Sequence, residues 1–400
     1  MTSPVDTSVK YFSSNMPNAP VLSGTAGALI ALLDACLKDG FNSITPTSIV
    51  VAGGIATLSW ASGTFAALPD SVVLIAGVTD KTGLNGEQKV LTKSALSITF
   101  ATAETAGTAT LSAATVKIAP LGWLKPQSGT NLAAYQSSDS LSTKMLLRVD
   151  DTGTTMARVV GYESMTDVNT GVNPFPSAAQ MSGGGYWSKS VNASAATVNW
   201  SLHGDGRIFY LNVQPGSSNA LVNQICSGKV FGDVIPTKPG GDPYACCLNY
   251  AQTATIGNQT DGAFGASGDF KFAMPRDFTG LGSSVMYGAW TLTGNGGVSG
   301  LANALGSFPS PIDGGLWLCK KFLYTSILSS PRAIFPGLLN VVQSGVWNSF
   351  KQGDSVPGSG IYAGKNLMAA TTSDNSTAFT TASTAANTGI IFFDVTGPWR

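Results

Sequence analysis

Three glutamates set the first limit on what this chain can fold into. Glu87, Glu104 and Glu163 are the only glutamates among 22 acidic residues; the rest are aspartates. Glutamate favours helices, whereas Asp, Gly, Ser and Thr favour caps, turns and irregular backbone. The chain also carries 47 glycines. Long helices are therefore disfavoured, and the expectation is a mainly β, loop-rich protein.

Charge of either sign is scarce. Asp, Glu, Lys and Arg make up 11% of the 400 residues, against roughly 25% in an ordinary soluble domain. Interface cores are depleted in charge, so a weakly charged chain suits life against other subunits. The formal net charge is zero, and the densest basic cluster is the pair Lys320 and Lys321. No electrostatic footprint for nucleic acid or an anionic membrane is present. A hydrophobic share of 43% excludes general disorder.

The opening MTSPVDTSVKYFSS lacks the basic and apolar regions of a secretory signal. Residues 26–37 form the most apolar early stretch, but it is too short to span a bilayer and contains Asp34. No membrane insertion is expected.

The chain divides into three parts on this reading. Residues 1–44 form an N-terminal arm and amphipathic helix. The arm carries Pro4, Pro17 and Pro20 with apolar Val9, Tyr11, Phe12, Met16 and Val21, and it suits an extended path along a partner. The helix lies in SGTAGALIALLDACLKDGF. Ser23 or Thr25 caps it, Leu29, Ile30, Leu33 and Leu37 form its apolar stripe, and Gly40 ends it. Residues 45–123 read as a small β-sandwich or barrel domain, with strand runs SIVVAGGIATLSW, SVVLIAGV, QKVLTKSALSITFAT and TATLSAATVKIAPLGW.

Residues 124–400 read as a larger β-rich body with Gly-rich loops and few helices. MLLRVDD and ARVVGYESM are strands. TVNWSL and RIFYLNV flank His203, Gly204, Asp205 and Gly206, which read as a hairpin tip. Residues 332–350 read as a helix interrupted by Pro336, residues 371–388 as an exposed polar loop, and GIIFFDVTGPWR as a final apolar strand.

No residue stands out as catalytic, cofactor-binding or metal-ligating. His203 is the single histidine, so it is the sole candidate base for a Ser-His-Asp triad, and no second histidine completes a metal-phosphatase site. It reads as a turn histidine. Asp150, Asp151 and Asp205 offer carboxylates to a hard cation, but the acidic pattern stops after two residues, as in a solvated turn. Gly294, Asn295, Gly296 and Gly297 resemble a phosphate loop only in glycine content. Cys36, Cys226, Cys246, Cys247 and Cys319 are odd in number and lack C-x-x-C spacing, so reduced thiols without zinc are expected. Tyr186, Trp187, Trp200, Phe209, Tyr210 and Trp317 could stack on sugar rings if exposed.

Several ordered strings carry a resemblance. KYFSSNMPNAPVLSGTAGALIALLDACLKDGF, LNGEQKV with SITFAT, KMLLRVDDTGTTMARVVGYESM and WSLHGDGRIFYL together resemble the first half of a family of tailed-bacteriophage virion structural proteins. After about residue 215 the likeness is one of general style. The resemblance implies a non-enzymatic component of the tail, baseplate or neck, located in the virion and assembled in the host cytoplasm. Its partners would be copies of itself and other virion proteins, and it supplies no site residues. Two other readings stand beside it: a receptor- or carbohydrate-binding tail protein that meets a host-surface glycan, and a depolymerase-type enzyme.

Overall fold

The computed structural model describes residues 3–216, 227–254, 272–291, 306–324, 330–346, 349–372 and 389–400. The fold is mainly β, as the shortage of helix formers requires, and the strands of the described residues pair antiparallel, with one isolated parallel bridge between Ser307 and Ser344.

The largest sheet has fourteen strands among the described residues. It starts at Lys10–Ser13 and passes through Thr197–Gly204, Ile208–Gln214, Ser227–Asp233 and Cys246–Asn249. It continues through Phe272–Met274, Val285–Thr291, Leu318–Tyr324 and Ala333–Val341, and ends with Gly389–Asp394, Asn366–Thr372 and Ser355–Pro357. The sheet curls so that its early strands meet its late ones. Tyr210 donates its hydroxyl to the Pro336 carbonyl at 2.8 Å, and Asn212 donates Nδ2 to the Thr371 carbonyl at 2.7 Å.

Alternation explains how both faces of the early strands are covered. In Ile208–Gln214, Phe209, Leu211 and Val213 point into the main core, while Ile208 and Tyr210 point into the space enclosed by the curl. The C-terminal strand Gly389–Asp394 lies inside this sheet, between Ala333–Val341 and Asn366–Thr372. Ile390, Ile391, Phe392 and Phe393 are all fully buried, which accounts for its unbroken apolar run.

A second sheet of eight strands uses residues 41–118, and a third of five uses residues 124–188. Within the second, Ser48–Ala52 and Ile55–Ser59 form a hairpin. Its two turn residues, Gly53 and Gly54, take φ values of 57° and 78°, the left-handed geometry a two-residue hairpin turn needs. One continuous apolar cluster joins this sheet to the helix and to the early strands of the large sheet.

The described part of the expected arm, residues 3–22, is tied into this chain by two strands. Lys10–Ser13 pairs with residues 201–204, and Leu22–Ser23 pairs with residues 197–198. Val9, Tyr11, Phe12 and Met16 are buried here, and only Val21 of the arm's apolar set is exposed.

The helix is shorter than the sequence suggests. It spans Ala28–Leu33 and widens into a π-helical segment over Asp34–Asp39, ending at Gly40 with φ 72°. The whole expected stripe is buried. Its cap differs from the expectation, because the Ser23 and Thr25 hydroxyls bond to each other at 2.8 Å. The free amides of Leu29 and Ile30 instead donate to Asp151 Oδ2, at 2.7 and 3.2 Å.

Residues 332–350 hold no α-helix among those described. Ala333–Val341 is a strand that contains Pro336. Gly337 follows with φ 69°, and a Cβ there would overlap the Trp399 ring. A proline in a strand is tolerated at such an irregularity, and the pairing with Leu318–Tyr324 shifts register between Lys320 and Phe322. Of the expected exposed loop 371–388, Thr371 and Thr372 instead end the strand Asn366–Thr372, with Thr371 buried; residues 373–388 and the glycine-rich loops 261–268 and 294–300 lie outside the described residues. No described helix is long and apolar enough to cross a membrane.

Candidate functional site

Polar residues recur at alternate positions on two neighbouring apolar strands. Asn199 and Ser201 lie on Thr197–Gly204, and Asn212 and Gln214 lie on Ile208–Gln214. The register sets Asn199 opposite Gln214 and Ser201 opposite Asn212. Because side chains alternate, all four share the face enclosed by the curled sheet. Beyond His203, Ile208 and Tyr210 that enclosed space is apolar; at this end it is polar.

A network of neutral amides and hydroxyls closes the space from the far side. Gln352 donates Nε2 to Ser201 Oγ at 2.9 Å and accepts the Thr371 amide at 2.8 Å. Gln214 donates Nε2 to Thr371 Oγ1 at 3.0 Å. The Ser14 hydroxyl donates to Asn199 Oδ1 at 3.3 Å. A small cleft remains, lined by Ser13, Asn15, Asn199, Trp200, Asn212 and Gln352 among others. Asn15 is exposed, and the cleft as a whole has room for about one water-sized group. Asn199 Nδ2 and Asn212 Oδ1 are buried and have no hydrogen-bond partner within the chain. They are diagonal neighbours across the strand pair, one a donor and one an acceptor.

The structure scatters the residues that the sequence offered as candidates. His203 is not at a hairpin tip; it lies within the strand Thr197–Gly204 and is buried. Its ring stacks on Phe393 with centroids 4.3 Å apart, and neither ring nitrogen has a partner. Burial holds its pKa down, from 6.5 to about 3. The turn is made by Asp205 and Gly206: Asp205 Oδ1 accepts the amides of Arg207 and Ile208, and Oδ2 accepts from Arg400 at 3.1 Å.

Asp150 ends the strand Leu146–Asp150, where the sequence suggested a turn, and its carboxylate accepts the Thr152 amide and hydroxyl just beyond it. The solvated-turn reading fails for Asp151. It is completely buried and paired with an equally buried Lys189. Lys189 also donates to the carbonyls of Thr25 and Gly153, at 2.7 and 2.8 Å. Burial pushes the Asp151 pKa up, against the pull of Lys189 and of the helix amides. This group fastens the helix to the five-stranded sheet.

Among the described residues no three His, Cys, Asp or Glu side chains gather as a metal site. Cys36, Cys246 and Cys247 are buried thiols and Cys319 is half-buried; Cys226 and residues 294–297 lie outside the described residues. Burial raises the thiol pKa of Cys36, Cys246 and Cys247. Trp187, Trp200, Phe209 and Tyr210 are buried and Tyr186 carries Arg158 over its ring, so these aromatics form no stacking platform. Trp317 alone of the set is exposed.

The amide cleft escaped the sequence reading, although its signal is there. The alternate polar positions in TVNWSL and RIFYLNVQ mark one polar end on two otherwise apolar strands. No protein-family model and no curated protein matches the chain.

Proposed function

We propose that this chain is a structural component of a tailed-phage particle, in the tail, baseplate or neck. It works through repeated contacts with copies of itself and with other virion proteins. The phage assignment rests on the resemblance of the strings in the first half of the chain; the physical support is a surface feature.

Glu163 accepts two bonds from Arg276, at 2.6 Å from Nε and 2.8 Å from Nη2. This forked pair joins the base of the hairpin 164–172 to the turn around residues 276–282. Large apolar side chains stand in solvent on both segments: Val172 is 53% exposed, Phe278 54% and Leu281 73%. The ion pair fixes their backbone supports, and nothing among the described residues covers them. Apolar groups held rigidly in solvent gain free energy when a neighbour buries them. The low overall charge reduces the desolvation cost of such a contact.

The test is native mass by light scattering across a concentration range, with mass spectrometry of purified particles. Self-association is expected, together with the chain's presence in the tail fraction. The double variant Phe278→Ser/Leu281→Ser is expected to weaken association with little change in melting temperature. A chain that stays monomeric and is missing from particles would refute the proposal.

A further inference from the structure

We infer that the outer face of the sheet around Thr57 packs against the same face of a second copy of this chain. The inference rests on the proposed self-association and adds a second surface to it. Ser48–Ala52, Ile55–Ser59, Ser97–Ala101 and the end of Gly86–Lys93 are neighbours in the eight-stranded sheet. Alternation sends Ile49, Leu58, Ile98 and Phe100 into the core. The opposite face carries Val50 and Ile55, 42% and 37% exposed, with the half-buried Thr57 and Thr99 between them and the exposed Thr92. The register sets Val50, Thr57, Thr99 and Thr92 in one row across four strands, and the Thr92 and Thr99 hydroxyls bond at 2.6 Å. Leu91, the extra residue where the register shifts, adds a side chain 43% exposed. The remaining outward residues of these strands are Ser and Ala.

The charge of this face selects its partner. None of its outward side chains is charged. Lys93, next to Thr92, points the other way and donates to the Phe65 carbonyl at 2.6 Å. A sheet face that stays in water is ordinarily polar against an apolar inner face, whereas this one keeps Val, Ile and Leu in solvent. A partner that laid charged side chains on it would bury them without a counter-charge. A second copy brings a face equally free of charge. Short Ser, Thr and Ala side chains keep the surface level, and level sheet faces stack about 10 Å apart. A face that matches itself needs only a two-fold axis.

Size decides between a free partner and a neighbour held elsewhere. Four strands of about five residues present about 330 Å² in projection. Even doubled for side-chain relief, that stays under the roughly 800 Å² per partner of a stable complex. The face does not hold a soluble protein by itself. It suits a copy already held through the Phe278 and Leu281 contact, where a second weak contact multiplies the first.

The experiment is sedimentation velocity on the full chain over a concentration series. Thr57→Lys and Thr57→Glu each set like charges against each other and are expected to weaken self-association roughly tenfold, with the melting temperature unchanged. An equimolar mixture of the two variants is expected to restore association, because the introduced charges are then opposite. Val50→Lys and Val50→Glu repeat the test at a more exposed position of the same row, so a folding defect at Thr57 does not decide it. Association that neither pair changes would overturn the inference; if Phe278→Ser/Leu281→Ser still weakens it, the proposed self-contact stands without this face. Loss in the single variants with no recovery in the mixture would also overturn it, since the face then meets a different surface. A natural chain that is monomeric at every concentration removes the self-contact, and this inference with it.

Discussion

The His203 and Phe393 rings stack face to face, 4.3 Å apart and 14° from parallel. This contact joins a strand in the middle of the sequence to the C-terminal strand Gly389–Asp394, which lies inside the same large sheet. Tyr11, from the first strand of the same sheet, also stacks with His203 at 6.2 Å. The single histidine thus acts as an aromatic plate in a packed interior, and its buried nitrogens lack partners in the chain.

Acid should therefore weaken the fold through His203. Its pKa is 6.5 in the unfolded chain and about 3 in the native state. Above pH 6.5 the ring is neutral in both states and adds no pH dependence. Between 6.5 and 3 the unfolded chain takes up a proton that the native chain refuses, so stability falls as pH falls. The loss reaches on the order of 4 kcal/mol near pH 3. Urea midpoints at pH 7, 5 and 4 should drop steeply for the natural chain and less steeply for His203→Phe. Parallel curves would show that His203 is not the sensor.

How much of this was legible depends on the range of the contact. The strands on either side of Asp205 and Gly206 follow from apolar alternation, and the end of the helix follows from Gly40. The cap does not, because Asp151 reaches Leu29 and Ile30 from just past the end of the strand Leu146–Asp150, more than a hundred residues away. His203 sits next to glycine in the sequence, so local chemistry suggests a turn; strand pairing of His203 with Tyr210 and of Gly204 with Phe209 overrides it. Pro336 reads as a helix breaker, yet it lies in a strand whose irregularity at Gly337 makes room for Trp399. In the cleft, alternation in two strands shows a polar face, but Gln352 and Thr371 reach it only through the curl of the sheet.

Breaking the buried pair on one side should cost more than removing both charges. Asp151→Ala leaves the Lys189 ammonium buried without its counter-charge and uncaps two helix amides. A loss of about 3–5 kcal/mol is expected. The double variant Asp151→Leu/Lys189→Met removes the stranded charge and should recover part of that loss. Chemical denaturation of the singles and the double decides the matter. A double variant less stable than Asp151→Ala would mean that the charges, and not the packing around them, hold the helix in place.

Thiol chemistry should follow burial. In the native chain Cys36, Cys246 and Cys247 should react slowly with a maleimide or disulfide reagent, because they are buried and burial raises their thiol pKa. In denaturant all five cysteines should titrate as free groups. Rapid native labelling of Cys36, or fewer than four groups in denaturant, would contradict this.

The first strand should matter to the stability of the chain and not only to its contacts with neighbours. Phe12 is fully buried and packs 6.1 Å from the Phe41 ring, at the border of the second sheet. Around it, the Ser14 amide donates to the Trp200 carbonyl at 3.0 Å, and the Trp200 indole donates to the Pro20 carbonyl at 3.1 Å. Deleting residues 1–22 removes Val9, Tyr11, Phe12 and Met16 from the core, each contributing roughly 1.5–3 kcal/mol by burial. It also strips the edge from Thr197–Gly204, leaving that strand free to pair with another chain. A soluble body with an unchanged melting temperature is therefore not the expected result; the truncated chain should melt early or aggregate. Phe12→Ala gives the finer test, with an expected loss of about 3–5 kcal/mol. Val21→Ser, at the exposed position of the same segment, should change stability by less than about 0.5 kcal/mol. If Phe12→Ala melts with the natural chain while particle incorporation fails, the segment serves assembly alone, and its burial here contributes little to the fold.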